Sequence, residues 1–127
     1  MKINDPGTVA EVTAAFELYE QALMANEIDV LDGLFWQSEL TVRIGPGQNL
    51  YGIDAIRAFR VNRPGGSPAR DLLAVRVTTF GDDFATVNAE FQRAGAPRPG
   101  RQSQTWARMA DGWRIVSAHI SMLGEGH

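Results

Sequence analysis

The chain has 127 residues, 44% of them hydrophobic and 21% charged, and a formal net charge of −3. That length carries one domain with a buried core and is too short for two, and the acidic balance argues against a nucleic-acid or anionic-membrane surface, which needs a basic face. No apolar run approaches the roughly 18 residues of a membrane span. The absence of cysteine excludes disulfides, thiolate catalysis and Cys-based zinc sites.

In chain order, Met1 to Pro6 has no apolar signal core, which makes the cytoplasm the default expectation. Asp5-Pro6 opens a first helix, with Asp5 as N-cap and proline at the tolerated first position. Val9, Val12, Phe16, Tyr19 and Leu23 step along it by three and four, which defines one buried stripe, and Glu11, Glu17 and Glu20 lie off it. A second helix is predicted from about Ile28 to Phe35, and Leu40 to Ile44 alternates as a strand until Gly45-Pro46-Gly47 stops it. A third helix runs from about Ile53 to Asn62, where Arg63-Pro64-Gly65-Gly66 breaks it.

The remainder reads as β. Asp71 to Phe80 and Phe84 to Arg93 flank Gly81-Asp82-Asp83, and Arg101 to Ala110 and Trp113 to Met122 flank Asp111-Gly112. Helices first and a meander afterwards give a segregated α+β fold, a single domain over residues 1–127. A two-residue Asp111-Gly112 loop would set His119 opposite Gln104, Ser121 opposite Gln102 and Ser117 opposite Trp106 on one face. Val116, Ala118 and Ile120 would then sit with Thr105 and Ala107 on the other, a small apolar face suited to a partner subunit. A three-residue loop would shift this register by one.

Several chemistries are set aside by what the sequence lacks. There is no phosphate-binding Gly-x-x-x-x-Gly-Lys-Ser/Thr and no Gly-x-Ser-x-Gly elbow, and Gly45, Gly47 and Gly52 have the wrong spacing for a dinucleotide loop. With His119 and the terminal His127 as the only histidines, neither a His-based metal site nor a serine triad is expected. One bias stands out: eleven of the twelve basic residues are arginine. A GC-rich genome produces that bias, and so does a requirement for bidentate carboxylate forks.

Three features are open to two readings each. Tyr19 is either a core tyrosine or a phenol aimed into a pocket. Arg43 shares a strand face with Thr41, opposite Leu40, Val42 and Ile44; facing outward it is a solvated edge residue, and facing inward it needs an anion. His119 is either a satisfied core histidine or a functional one whose tautomer Gln104 fixes. Trp36, Trp106 and Trp113 serve as core and pocket wall, while Arg57, Arg60 and Arg63 read as a solvated face suited to the helix dipole.

Several segments together resemble the AtzH-like proteins, also known as oxalurate-catabolism HpxZ-like proteins, within the NTF2-like (SnoaL-like) superfamily. They are Ile3-Asn4-Asp5-Pro6, the run from Leu50 to Arg60, Gly100-Arg101-Gln102-Ser103-Gln104-Thr105-Trp106, and Gly112-Trp113-Arg114-Ile115-Val116 with Ala118-His119. The resemblance implies a cone of three helices on a curved, mainly antiparallel sheet around a pocket, usually in a homodimer. It also implies a role beside an amidase-signature hydrolase in the breakdown of urea-like nitrogen compounds. The implied activity is a cofactor-free, metal-free decarboxylating amidohydrolase step on dicarboxyurea to give allophanate, or on an oxalurate-related ureide. A helix-one tyrosine and a first-strand arginine are implicated there, and they fall on Tyr19 and Arg43. Gln102, Gln104, Trp106 and His119 would then bind the substrate. The alternative is a non-catalytic module that binds a small carboxylated metabolite or docks a companion amidase.

Overall fold

A computed structural model of the chain describes residues 1–124; His127 lies outside the described residues. Asp5 caps helix α1 (Pro6–Ala25), accepting a hydrogen bond from the Thr8 amide at 3.2 Å. The expected stripe is the buried face: Val12, Phe16, Tyr19 and Leu23 are all inside, with Thr8 and Ala22 beside them. A short helix α2 (Ile28–Leu34) follows, then strands β1 (Val42–Ile44) and β2 (Asn49–Tyr51) and helix α3 (Ile53–Val61). Strands β3 (Arg70–Phe80), β4 (Phe84–Arg93), β5 (Gly100–Met109) and β6 (Gly112–Met122) complete the order.

The six strands form one sheet in the order β2-β1-β6-β5-β4-β3. Every neighbouring pair is antiparallel except β1 with β6, which is parallel. The sheet is therefore mixed, and the α+β class with three helices on a curved sheet is as expected. β2 is the one strand that the hydropathy pattern does not reveal, because three residues are too few to show a period. α1 packs on β3 and α2, and the core lies between the helices and the inner sheet face: Phe35, Ile56, Val87, Trp106 and Ile115 are all but inaccessible.

The first hairpin has the expected register, with Phe80 opposite Phe84 and Arg76 opposite Asn88. The last hairpin does not. Met109 pairs with Gly112, so the loop is Ala110-Asp111 rather than Asp111-Gly112. A bulge at Val116 then shifts the ladder once more, between Trp106↔Ile115 and Thr105↔Ser117. Beyond it Gln104 faces Ala118, Gln102 faces Ile120, and His119 faces Ser103. Because side chains alternate, that odd shift moves His119 to the opposite face from Gln104. The expected small apolar outer face is corrected in the same way: next to the bulge-free stretch it carries Arg101, Ser103, Ser117, His119 and Ser121.

The bulge has a clear packing reason. The buried positions of β6 are odd-numbered before it (Trp113, Ile115) and even-numbered after it (Ala118, Ile120). One extra residue lets both apolar sets face the core, at the cost of an interrupted ladder. The opposite end of this hairpin is tight. A Cβ on Gly100 would strike the Phe91 ring and stand 2.7 Å from the Met122 sulfur, so the inner face admits only glycine there. Gly100→Ala should therefore lower unfolding stability by about 1–3 kcal/mol, as overpacked sites do. Urea denaturation checks this, and an unchanged midpoint would mean that Phe91 and Met122 yield freely.

Candidate functional site

β1 positions the central residue. Its parallel pairing with β6 sets Arg43 beside Ala118, and Ala118 in turn faces Gln104. Arg43, Gln104 and the buried Val87 of β4 thus occupy one row across the inner face. Of the two readings of Arg43, the inward one is realised: it is 5% exposed and Thr41 beside it is fully buried. The Thr41 hydroxyl donates to the Trp36 carbonyl at 2.7 Å, which ties the start of β1 to the segment after α2.

Arg43 lines a cavity of about 220 Å3 together with Gln48, Phe59, Arg63, Arg93 and the Pro46-Gly47 turn. A Cβ at Gly45 would stand 3.1 Å from Gln48 Nε2, a tight approach, and 3.4 Å from Arg43 Nη1, an ordinary contact. The guanidinium sits 4.8 Å from the Phe59 ring centre, and that of Arg63 sits 5.5 Å from the same ring. Arg93 lies against Phe91 at 5.5 Å, and Arg70 against Phe91 at 4.3 Å.

The cations in this region divide into two groups. Arg60 pairs with Asp32 of α2 at 3.2 Å, and Arg70 forms a fork with Glu20 of α1 at 2.6 and 3.0 Å. Arg43, Arg63 and Arg93 have no carboxylate partner among the described residues. Burial, with repulsion from Arg60, Arg63 and Arg93, pushes Arg43 down to about 10 in pKa, against an opposing pull from Tyr19. Arg63 and Arg93 are lowered from the usual arginine range for the same reason, burial first and neighbouring arginines second. Burial also raises the Asp32 carboxyl, with Arg60 opposing.

Tyr19 is 2% exposed, set edge-on to Phe35 with ring centres 6.3 Å apart, and its oxygen interacts electrostatically with both Arg43 and Arg63. The two glutamines of β5 are buried and held by their carbonyl oxygens. Gln104 Oε1 accepts from Trp106 Nε1 at 3.0 Å, and Gln102 Oε1 accepts from Arg70 at 3.3 and 3.4 Å. Their amide nitrogens are left without partners. Seven buried side-chain polar atoms among the described residues make no hydrogen bond, and six of them are nitrogen donors: Arg43 Nε and Nη1, Arg60 Nη2, Arg93 Nε, Gln102 Nε2 and Gln104 Nε2. The seventh is the Thr79 hydroxyl.

The structure thus brings Tyr19, Arg43, Gln102, Gln104 and Trp106 to the inner face. His119 is exposed on the outer one, opposite Ser103, and does not join them. Arg60 and Arg63 are corrections to the solvated face expected at the end of α3: Arg60 is buried, Arg63 lines the cavity, and only Arg57 is exposed, bonded to Gln37. Arg60, Arg63, Arg93 and Phe59 have no local sequence signal beyond the arginine bias. Among the described residues no group of acidic or histidine side chains could hold a metal, and no helix is long and apolar enough to cross a membrane.

A curved mixed sheet closed by three helices around a polar pocket defines an NTF2-like protein. An NTF2-like superfamily protein from Salmonella enterica shares that fold at 23% identity, with a TM-score of 0.77 over 95% of this chain and 94% of its own. More specifically, the chain belongs to the AtzH-like family, whose model matches residues 1–126. A protein of unknown function from Pectobacterium atrosepticum is similar at 51% identity, covering 96% of this chain and 95% of its own, with a TM-score of 0.93. A cystatin-like fold protein from Burkholderia xenovorans is similar at 48% identity, covering 98% of both chains, also with a TM-score of 0.93. No curated protein matches the sequence.

Two stability measurements test this charge arrangement. Arg43→Met removes a buried charge that lacks a counter-ion, so the ligand-free protein should gain about 1–3 kcal/mol in urea unfolding. A loss would show that the guanidinium is satisfied without ligand. Asp32→Asn leaves Arg60 buried without its carboxylate and should cost about 3–5 kcal/mol. A cost below about 1 kcal/mol would put that pair among the weak surface bridges.

Proposed function

We propose that the chain is a metal-free, cofactor-free enzyme that decarboxylates a small N-carboxylated urea, with dicarboxyurea to allophanate as its reaction. The supporting observation is that Arg43 and Arg93 bring buried N–H donors without partners to one cavity, with the unpartnered Gln104 amide in the Arg43 row of the sheet. A site made of guanidinium and amide N–H groups suits a ligand made of carboxylate and urea oxygens, and leaving such donors unmet is costly. The cavity of about 220 Å3 is smaller than the roughly 300–1,000 Å3 of drug-sized pockets, in keeping with a small metabolite.

In this reading Arg43 binds a carboxylate of the substrate through its free Nε and Nη1, and the amide nitrogens of Gln102 and Gln104 meet the remaining oxygens. The C–N bond of one N-carboxylate breaks, carbon dioxide leaves, and the electron pair stays on nitrogen. The Tyr19 hydroxyl donates the proton that this nitrogen takes up. The phenolate left behind faces the charges of Arg43 and Arg63, and solvent returns its proton. N-carboxylated ureas are labile by themselves, so positioning and one proton donor suffice without a nucleophile. His119, on the outer face, has no part in this scheme.

The same donors also favour a second reading, a carboxylate-binding module without chemistry, either alone or beside a companion amidase. Consumption of dicarboxyurea separates the two. Tyr19→Phe and Arg43→Ala should each lower turnover by about 100-fold or more, with folding verified by circular dichroism. Wild-type rates in both variants would remove the assignment, and decay no faster than the spontaneous rate in the unmodified protein would favour the binding module.

A further inference from the structure

In the proposed reaction one cation of the cavity, Arg43, binds the substrate, and two more line it. Arg93 stands at the end of β4 and Arg63 just after α3, yet both share the cavity with Arg43. Neither has a carboxylate partner among the described residues, whereas the adjoining Arg60 and Arg70 have one each. Ion pairing of the protein's own groups therefore stops short of this cavity, and what remains is a surplus of positive charge in a small space. A single carboxylate would offset only part of it.

The means of holding these cations is also informative. Phe59 supports Arg43 and Arg63, and Phe91 supports Arg93, at 4.8, 5.5 and 5.5 Å from the ring centres. A ring attracts a guanidinium through its face and takes up none of the in-plane N–H donors. A carboxylate in that role would consume them. The rings thus orient the forks and leave them open to a ligand, and Arg93 Nε, buried and without a partner, is such an open donor.

We propose that Arg93 is a second anion-binding residue of this cavity, set on the Phe91 ring, and that with Arg43 it selects ligands bearing two carboxylates over ligands bearing one. This rests on the reading of the cavity as a carboxylate site and narrows the ligand class within it. A monoanionic oxalurate-type ureide leaves one locus unmet, and a dicarboxylated urea fills both.

Glutarate and butyrate differ by one carboxylate, and neither is an N-carboxy compound, so calorimetric titration of the full chain with each reads binding apart from turnover. The unmodified protein should bind glutarate at least about tenfold more tightly than butyrate, the scale of one additional charge-assisted contact. Arg93→Met, which keeps the packing on Phe91 and removes the charge, should bring glutarate to the butyrate level and leave butyrate unchanged. Arg93→Gln makes the same comparison if the methionine variant does not fold. Equal affinities in the unmodified protein, no glutarate binding at millimolar concentration, or an equal loss for both ligands in the variant would each overturn the proposal. An Arg93-dependent preference for glutarate without consumption of dicarboxyurea would retain this inference and remove the catalytic reading. Consumption of dicarboxyurea without that preference would do the reverse.

Discussion

A guanidinium removed from water has to be compensated, and here the compensation is incomplete. Arg43 is buried on the inner sheet face, its Nε and Nη1 bond to nothing, and its guanidinium lies over the face of Phe59. What holds it there is backbone rather than side chain: β1 is pinned between β2 and β6, and the register with Ala118 leaves its middle residue no outward option. The surroundings follow from that placement. The two glutamines of β5 turn their oxygens to Trp106 and Arg70 so that only their N–H groups remain open. Of the neighbouring cations, Arg60 and Arg70 have carboxylate partners as well as rings, and Arg63 and Arg93 have rings alone.

The neutralised cations and the open ones differ in what they do for the fold. The Glu20–Arg70 fork joins α1 to the edge strand β3, and Arg70 also orients Gln102. The Asp32–Arg60 pair joins α2 to α3 and puts Arg60 against Phe35. Both pairs staple helices over the sheet and enclose the space between them. The open cations add nothing comparable to the packing and carry a desolvation cost. Buried cations without a carboxylate of their own are a pattern met at functional sites.

The local elements were legible because their signals are local. The three-four spacing of the α1 stripe, the Asp5 cap and the Gly81-Asp82-Asp83 turn each depend on residues within a few positions, and each stands as expected. The last hairpin defeated the same reasoning at two points. Asp111-Gly112 suits a tight turn, yet the loop lies one residue earlier, and nothing in Ile115-Val116-Ser117 marks a bulge. Only the demand that Trp113, Ile115, Ala118 and Ile120 all reach the core explains it, and that demand comes from the helices opposite. The site divides in the same way. Tyr19 and Arg43 stood out on their own elements. Arg60 read as a dipole-matching cation because its partner Asp32 lies 28 residues away on another helix, and Arg93 joins the cavity only through the curvature of the sheet.

That division bears on how the family resemblance carries information. The Gly-Arg-Gln-Ser-Gln-Thr-Trp run is intelligible piece by piece: Gly100 makes room for Phe91 and Met122, Gln102 and Gln104 present donors, and Trp106 fixes one of them. The alternate residues Arg101 and Ser103 face outward. So the inner half of the motif carries two unpartnered amide N–H groups on the sheet face that also holds Arg43. Unpartnered donors of this kind are not satisfied by an apolar ligand. Oxygens that carry charge would satisfy them, which is the chemical basis of the proposed ligand class.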